Sequence, residues 1–264
     1  MPKFLDVGRS NRSPGKHATI NAFIGKQFGV SSKLYLHRVH YLIDCTAGDG
    51  KADDFERQTS PGILMRHARW YRSMGGMVHV HLYERSLANA ASLQERCTDD
   101  MVQVHAMNAY DMPQLWNRAS DMVFVVNDPN TMRDWALPPV LKHAPSMTLI
   151  FSTLGCNVGG LKRIPIDERL VWYNNIADQL QMLQHWHDAY LAVLENDSAQ
   201  WAYLVNAPKD WRADMKDMFA KAFRGSYEVV GAWYKAEYED FYKLVDELFL
   251  TKKEREECQQ LTLF

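Results

Sequence analysis

One ten-residue segment, residues 41–50, constrains the fold of this chain more than any other. It reads YLIDCTAGDG: an apolar run typical of a buried β-strand, which ends at Asp44 and is followed by a turn containing Gly48 and Gly50. Glycines let backbone amides approach a ligand because they carry no Cβ, and a carboxylate at a strand end can accept hydrogen bonds from that ligand. The segment therefore predicts a site for a nucleotide-type cofactor at the carboxyl end of a parallel strand.

The glycine spacing argues against a dinucleotide as that cofactor. A dinucleotide-binding turn reads G-x-G-x-x-G, and its third glycine packs the following helix on the strand. Asp53 occupies that third position here. The spacing D-x-x-x-G-x-G instead resembles the first motif of class I S-adenosylmethionine-dependent methyltransferases, although an ordinary strand-to-loop turn could carry the same residues. The resemblance implies that the following residues line the cofactor site: Asp44, Thr46 (in place of that family's first glycine), Ala47, Gly48 and Gly50.

Two later segments also have the pattern of a strand that ends in a polar side chain. Residues 77–86, MVHVHLYERS, alternate as a strand does and carry Glu84, whose carboxylate can accept hydrogen bonds from both hydroxyls of a ribose. Residues 101–112, MVQVHAMNAYDM, carry Asn108 and Ala109 where methyltransferases usually have Asp-Ala facing the adenine. Asn still offers a carbonyl oxygen to the adenine amino group, so the resemblance assigns both positions to cofactor binding.

A fourth apolar run, residues 121–130, ends in Asn127, Asp128, Pro129 and Asn130. This ending resembles the (Asp/Asn/Ser)-Pro-Pro-aromatic motif of enzymes that methylate amino groups. The resemblance implies that Asn127 or Asp128 accepts hydrogen bonds from the target amino group, and that Pro129 stiffens the turn. All three residues are therefore predicted to be catalytic.

Two features of this fourth motif leave its interpretation open. The aromatic residue that would stack on the target base is absent from the motif, and Tyr110, Trp116 or Trp135 could supply that ring from nearby. The motif could also only cap a helix that begins near Met132, since Asp and Asn are good caps. A cytosine-C5 mechanism is not expected, because it needs a nucleophilic cysteine after the proline of this loop, where Asn130 stands.

Predicted strands that alternate with helices indicate an α/β fold. We expect a doubly wound, Rossmann-like methyltransferase sheet of about seven strands with helices on both faces. A helix should begin at Ser60-Pro61, where Ser caps and Pro suits the first turn. The later elements are predicted as a strand over 147–154, a long helix over 167–195, a strand over 201–208, a helix over 213–224 and a strand over 227–234.

The chain divides into three predicted regions. Residues 1–36 form a basic extension with a short helix around 16–28, residues 37–235 form the methyltransferase domain, and residues 236–264 form an amphipathic helix and a tail. Residues 1–40 carry seven basic side chains and one acid, a net charge of +6 in a chain whose formal charge is −2. This amino end could contact phosphates, or it could be a solvated leader.

Several classes of protein are excluded by composition. The four cysteines are scattered without a C-x-x-C pair, so neither a zinc site nor a disulfide framework is expected, and no metal is predicted. No apolar run approaches the length of a membrane span, and the amino end lacks a signal-peptide core. We expect a cytoplasmic protein associated with DNA.

Four segments carry a narrower resemblance. KHATINAFIGKQF, YLIDCTAGDG, TSPGILMRHA and VHLYERSLANAASLQERC are together similar to the three-Cys-motif partner family of bacterial proteins. The similarity covers about residues 15–132. That family is inferred to be methyltransferase-like, with a displaced Ser-Pro helix after the glycine turn, and the cofactor implied is S-adenosyl-L-methionine.

The last five residues, QLTLF, form a separate motif. They are similar to the QL(S/D)LF peptide by which polymerases and repair proteins bind the bacterial DNA sliding clamp. Gln260 would reach polar groups at the rim of a pocket that Leu261, Leu263 and Phe264 fill. The alternative is an apolar tail that folds back on its own domain, but the charged run KKEREE before it favours exposure.

Two functions of different classes follow. The first is a methyltransferase that acts on nucleic acid, at an exocyclic amino group of a DNA base, and is tethered to the sliding clamp. The second is a catalytically weak or inactive adaptor with the same fold that binds the clamp.

Overall fold

Eight strands form one sheet in the computed structural model of this chain. The structure describes residues 13–129, 135–157, 164–182, 188–196, 199–206, 214–223 and 227–235. The strands are β1 (Val39–Asp44), β2 (Met77–Tyr83), β3 (Val102–His105), β4 (Met122–Asn127), β5 (Met147–Asn157), β6 (Asp188–Asn196), β7 (Ala199–Asn206) and β8 (Glu228–Lys235). The described helices are α1 (Ser13–Leu34), α2 (Phe55–Gln58), α3 (Ser60–Ser73), α4 (Leu87–Arg96), α5 (Ile166–Gln181) and α6 (Met215–Phe223).

The order of the strands is β3-β2-β1-β4-β5-β7-β6-β8. Strands β1 to β5 are parallel, whereas β7 is antiparallel to both β5 and β6, and β8 is antiparallel to β6. The chain moves outward from β1 to β3 and then returns to β4 on the other side of β1. Ligands of doubly wound sheets bind outside the carboxyl ends of the strands at such a reversal, so the gap between the ends of β1 and β4 is where a site is expected.

The predicted fold class is confirmed, and helices lie on both faces of the sheet. One face is covered by α1, α3 and α6, with Phe151 of β5 among the buried residues between them. The other face is covered by the segment that follows β3, by the segment that contains Trp135, and by α5, which contributes Tyr173 and Ile176. The predicted helix at Ser60-Pro61 is α3, and its cap is Thr59, whose hydroxyl accepts from the backbone N of Gly62 at 3.1 Å.

The predicted long helix over 167–195 is wrong in its second half. Helix α5 ends at Gln181, and residues 188–196 form β6, a strand paired on both sides. Residues 189–194, AYLAVL, are all buried because both faces of this strand are covered. A short apolar run of this kind has no period that separates a buried strand from a buried helix. The extra strand makes eight, and the predicted strands at 201–208 and 227–234 are β7 and β8.

Helix α1 is longer than predicted and belongs to the core. Ile20, Phe23, Ile24 and Phe28 are fully buried, and the ring of Phe23 lies 5.8 Å from that of Phe151, centroid to centroid. Over residues 13–34, a solvated leader is therefore excluded. Residues 1–12 and the predicted carboxyl-terminal helix and tail, 236–264, lie outside the described residues. Across the part of the chain that is described, no helix combines the length and apolar character that crossing a bilayer needs.

Candidate functional site

The glycine turn after β1, residues 45–50, has the backbone that its glycines predict. Gly48 and Gly50 have φ angles of +69° and +65°, a region that favours glycine. A Cβ on Gly50 would lie 2.8 Å from Cδ1 of Leu93, so this glycine also lets α4 pack closely. A Cβ on Gly48 would meet no atom within 4 Å. Gly48 therefore borders open space in which a ligand can contact the turn.

Asp44, the last residue of β1, is fully buried. Its Oδ1 accepts a hydrogen bond from the backbone N of Thr46 at 3.0 Å, whereas its Oδ2 is buried with no hydrogen-bond partner among the described residues. Burial raises the pKa of this carboxyl to about 6, although the nearby Ser60 hydroxyl and the Thr46 amide lower it. The Ser60 hydroxyl lies near the carboxyl without the geometry of a hydrogen bond to Oδ2. A buried oxygen without a donor is costly, so Oδ2 is available to a donor from a bound ligand.

Glu84 follows β2 and connects the turn to the start of α4. Its Oε2 accepts from the backbone N of Gly48 at 3.1 Å, and its Oε1 accepts from the backbone N of Ser86 at 2.7 Å. Ser86 in turn caps α4 through Asn89. Each carboxylate oxygen has two lone pairs, so Glu84 retains capacity for two hydroxyl donors of a ligand.

Asn108 and Ala109 lie after β3, at the same edge of the sheet. The Oδ1 of Asn108 accepts from the backbone N of Tyr110 at 3.1 Å and so shapes a short 3-10 turn, Ala109–Asp111. Ala109 is buried, whereas Asn108 is exposed. The predicted cofactor residues are thus distributed over the ends of three neighbouring parallel strands.

Asp128, the first residue after β4, is held by groups from three separate parts of the chain. Its backbone N donates to Oγ1 of Thr46 at 3.0 Å. Its carboxylate accepts from the ammonium of Lys16 in α1 and from the hydroxyl of Thr153 in β5. The side chains of Lys16 and Asp128 are 16% and 28% exposed, so this ion pair is partly buried.

These contacts determine the charge of Asp128. Burial alone would raise its pKa, but Lys16 and the Thr153 hydroxyl outweigh burial and hold the pKa below its ordinary value. Burial lowers the pKa of His17 to about 4, with Lys16 adding to that effect, so His17 is neutral at neutral pH. Lys16 is therefore the cation that keeps Asp128 ionised. The carboxylate is a hydrogen-bond acceptor and a poor proton acceptor.

Asn127 occupies a different environment from its neighbour. It is buried, and its Nδ2 donates to the carbonyl O of Ala136 at 3.1 Å and to Oγ of Ser152 at 3.3 Å. Its side-chain amide thus connects β4 to Ser152 in β5 and to the backbone at Ala136. Pro129 is also buried. Of the three residues predicted to be catalytic, Asp128 alone has a partly exposed side chain.

Two of the three predicted stacking aromatics are excluded by burial. Trp135 is 1% exposed and donates its Nε1 to Ser152, and Trp116 is 3% exposed and donates its Nε1 to the carbonyl O of His143. Tyr110 is 49% exposed and remains available. The predicted helix cap near Met132 lies outside the described residues, as do the predicted clamp-binding residues Gln260, Leu261, Leu263 and Phe264.

No motif or spacing in the sequence indicates which residues hold Asp128. Lys16 is 112 positions from Asp128 and Thr153 is 25 positions away, so no local spacing could connect them. The one indication in the sequence is Thr46, because the first motif of class I methyltransferases has a glycine at this position. Among the described residues, no group of three or more His, Cys, Asp or Glu side chains is arranged to hold a metal ion.

Among known proteins, several solved structures are similar to this chain. No protein-family model and no curated protein sequence matches it. Similar solved structures include a Legionella pneumophila protein of the DUF519 family, 9% identical over 86% of this chain and 99% of that one, with a TM-score of 0.46. Cofactor-bound Rv0187 from MTB is 16% identical over 78% and 83% of the two chains, with a TM-score of 0.42.

A third similar structure is the ribosomal protein L11 methylase of Lactobacillus delbrueckii subsp. bulgaricus. It is 12% identical over 76% of this chain and 80% of that one, with a TM-score of 0.39. The Rossmann-like fold of this chain is established by its own strand order and registers.

The ion pair of Lys16 gives a pH-dependent prediction. Replacing Lys16 with Met removes the ammonium and leaves burial unopposed, so the pKa of Asp128 should rise. The depressed pKa of wild-type Asp128 stabilises the fold above the unfolded carboxyl pKa of about 3.9, and this stabilisation is lost as pH falls through the folded pKa. Lys16→Met should therefore cost about 1–3 kcal/mol at pH 7, and less at lower pH.

Lys26→Met is the matched control, because Lys26 lies in the same helix and pairs with Asp214, which is 55% exposed. That change should cost less than about 1 kcal/mol. Carbon-detected NMR titration of the Asp128 carboxyl and denaturant unfolding supply the measurements. An Asp128 that titrates in Lys16→Met at or below its wild-type pKa would contradict the assignment.

Proposed function

We propose that this chain is an S-adenosylmethionine-dependent methyltransferase that acts on an exocyclic amino group of a base in nucleic acid, with DNA favoured over RNA. The single observation that carries the proposal is the position of Asp128. An ionised carboxylate follows β4 at the strand reversal, and its backbone is hydrogen-bonded to the turn that is predicted to hold the cofactor.

The residues at this edge of the sheet fit the predicted cofactor. Gly48 borders open space, Asp44 has a buried oxygen without a donor, and Glu84 has lone pairs for two ribose hydroxyls. When bound, S-adenosyl-L-methionine supplies a methyl group already activated by its sulfonium. The protein would have to place the nucleophile on the methyl axis and accept hydrogen bonds from it. S-adenosylhomocysteine would be the leaving group, and the methylated nitrogen, cationic after the attack, would release one N–H proton to solvent.

Asp128 suits this task for one class of amine. An exocyclic amino group of a base is neutral, so it needs its N–H bonds oriented and does not need a proton removed before attack. A lysine side chain is an ammonium at neutral pH, and a carboxylate whose pKa is held low deprotonates it poorly. The low pKa of Asp128 therefore favours a nucleobase over a protein amine as the acceptor.

Support for nucleic acid as the substrate comes from the sequence, and the preference for DNA comes from the clamp-like tail. The ending Asn127-Asp128-Pro129 resembles that of amino methyltransferases, and residues 1–40 carry a net charge of +6. Basic segments bind phosphates without regard to base sequence. Lys16 is already paired with Asp128, so phosphate contacts would come from the other basic residues of this region.

We further propose that the tail binds the bacterial sliding clamp. Its support is the sequence QLTLF at residues 260–264, which lies outside the described residues. A short peptide must order when it binds, so micromolar affinity is expected. Tethering would raise the concentration of the enzyme on newly replicated DNA.

An adaptor without methyltransferase activity is the second candidate, and one observation favours it. Both carboxylate oxygens of Asp128 already accept a hydrogen bond within the protein, one from Lys16 and one from Thr153. Each oxygen then has one lone pair left for the N–H bonds of a bound amine, and the ammonium of Lys16 competes with that amine for the charge of the carboxylate. In this function the fold and the tail would serve to bind the clamp.

Exchange of Asp128 for Asn tests the catalytic proposal. We expect methyl transfer to fall at least about 100-fold, because the charged acceptor is lost, while affinity for S-adenosylmethionine stays within about threefold. Tritiated S-adenosylmethionine is incubated with DNA, RNA and protein pools, and labelled products are identified by nucleoside mass spectrometry. Asp100→Asn is the control and should retain full activity, because Asp100 is exposed and precedes the amino end of β3, at the opposite edge of the sheet from these strand ends.

An amino-methylated base in DNA supports the proposal. Label in RNA or protein alone would refute DNA as the substrate. The absence of transfer to any pool by the wild type would leave the adaptor as the function, and full activity of Asp128→Asn would show that the chemistry lies elsewhere.

The clamp proposal is tested with the full chain. Replacing both Leu263 and Phe264 with Ala should abolish capture by immobilised sliding clamp, because the apolar anchors are lost. Thr262→Ser is the matched control, since Ser occurs at this position of the resembled peptide, and it should bind as the wild type does. Clamp binding that persists in the double variant, or is absent from the wild type, would refute the assignment.

A further inference from the structure

Thr46 lies between two carboxylates that have separate tasks in the proposed function. Its backbone N donates to Oδ1 of Asp44 at 3.0 Å, and its Oγ1 accepts from the backbone N of Asp128 at 3.0 Å. Asp44 ends β1 and Asp128 follows β4, so this one residue bridges the two strands at the strand reversal. A second backbone bond, from the N of Cys45 to the O of Val126 at 2.8 Å, lies beside it.

The hydroxyl of Thr46 makes this bridge possible. The first motif of class I methyltransferases, which this turn resembles, has a glycine at the same position. A glycine at position 46 could keep the backbone bond to Asp44, but it has no acceptor for the N–H of Asp128. Thr is also stiff at χ1, so its hydroxyl is held in few orientations. The glycine turn and the backbone of Asp128 are therefore joined by a short and rigid connection.

The other contacts of Asp128 are made by its carboxylate, whereas its backbone N donates to Oγ1 of Thr46. Lys16 and Thr153 both bond to carboxylate oxygens, whereas Thr46 fixes the amide that precedes the Cα. The orientation of this amide thus depends in part on the bridge, together with the pairing of the preceding Asn127 in β4. A misplacement of a reacting group by about 1 Å can cost on the order of 100-fold in rate.

We propose that Thr46 is a positioning residue that couples occupation of the glycine turn to the orientation of Asp128. The catalytic consequence of this coupling rests on the function proposed above. The coupling itself does not, because it is a property of binding and can be measured without any methyl transfer.

The test uses S-adenosylhomocysteine as the probe and amide hydrogen exchange of Asp128, followed by NMR on the full chain, as the readout. In the wild type, binding should slow this exchange roughly tenfold, within the usual range of coupling between sites. Thr46→Ser keeps the hydroxyl and should behave in the same way. Thr46→Val, which keeps the shape and removes the acceptor, should show a change of less than about twofold.

Activity gives a second and independent readout. In Thr46→Val and Thr46→Gly, kcat should fall about 10–100-fold while the Kd for S-adenosylmethionine stays within about threefold. Thr46→Gly restores the glycine of the resembled motif, so it serves as the second variant if Thr46→Val does not fold. Thr46→Ser, which keeps the hydroxyl, should recover most of the kcat that Thr46→Val loses.

Each outcome separates the two proposals. Slowed exchange in Thr46→Val equal to that of the wild type would overturn the coupling and leave the proposed function intact. A loss of kcat matched by an equal loss of cofactor affinity would make Thr46 a binding residue only and would also overturn the coupling. If the wild type does not bind S-adenosylhomocysteine, both proposals fail.

Discussion

The candidate site depends on one partly buried negative charge, that of Asp128. An unpaired carboxylate at this position would be costly, because burial disfavours its charged form. Lys16 supplies the opposing charge, Thr153 donates to one oxygen, and Thr46 accepts from the backbone. The packing of α1 against the sheet is what places Lys16 there, so the helix that precedes the first strand is part of the site.

Two carboxylates at the same edge of the sheet have pKa values that are shifted in opposite directions. Burial raises the pKa of Asp44 to about 6, whereas the pKa of Asp128 is held below its ordinary value. Groups whose surroundings push their pKa values apart generally have different roles. Asp44 retains a buried oxygen for a ligand donor, and Asp128 is ready to accept from an amine without taking its proton.

The sequence predicted those parts of the molecule that are encoded locally. The acid of Asp44, the glycines of the turn and the polar endings of β2, β3 and β4 each stand beside an apolar run, and parallel strands bring such endings to one edge. It did not predict β6, because AYLAVL is buried on both faces and has no period. It did not predict Lys16 or Thr153, because the contacts that place them beside Asp128 are made by packing between distant elements. Asn127 and Asp128 are adjacent in sequence, and only the fold distinguishes the buried amide from the partly exposed carboxylate.

Calorimetric titration of the purified chain with S-adenosylmethionine tests whether these strand endings form a site for that cofactor. We expect the wild type to bind S-adenosylmethionine and to show no comparable binding of NAD. Glu84→Ala should weaken binding by roughly 1.5–3 kcal/mol, since charge-assisted bonds to two hydroxyls are lost, and Glu84→Gln should weaken it less. If the wild type does not bind S-adenosylmethionine, or binds NAD equally well, these strand endings do not form a site for that cofactor.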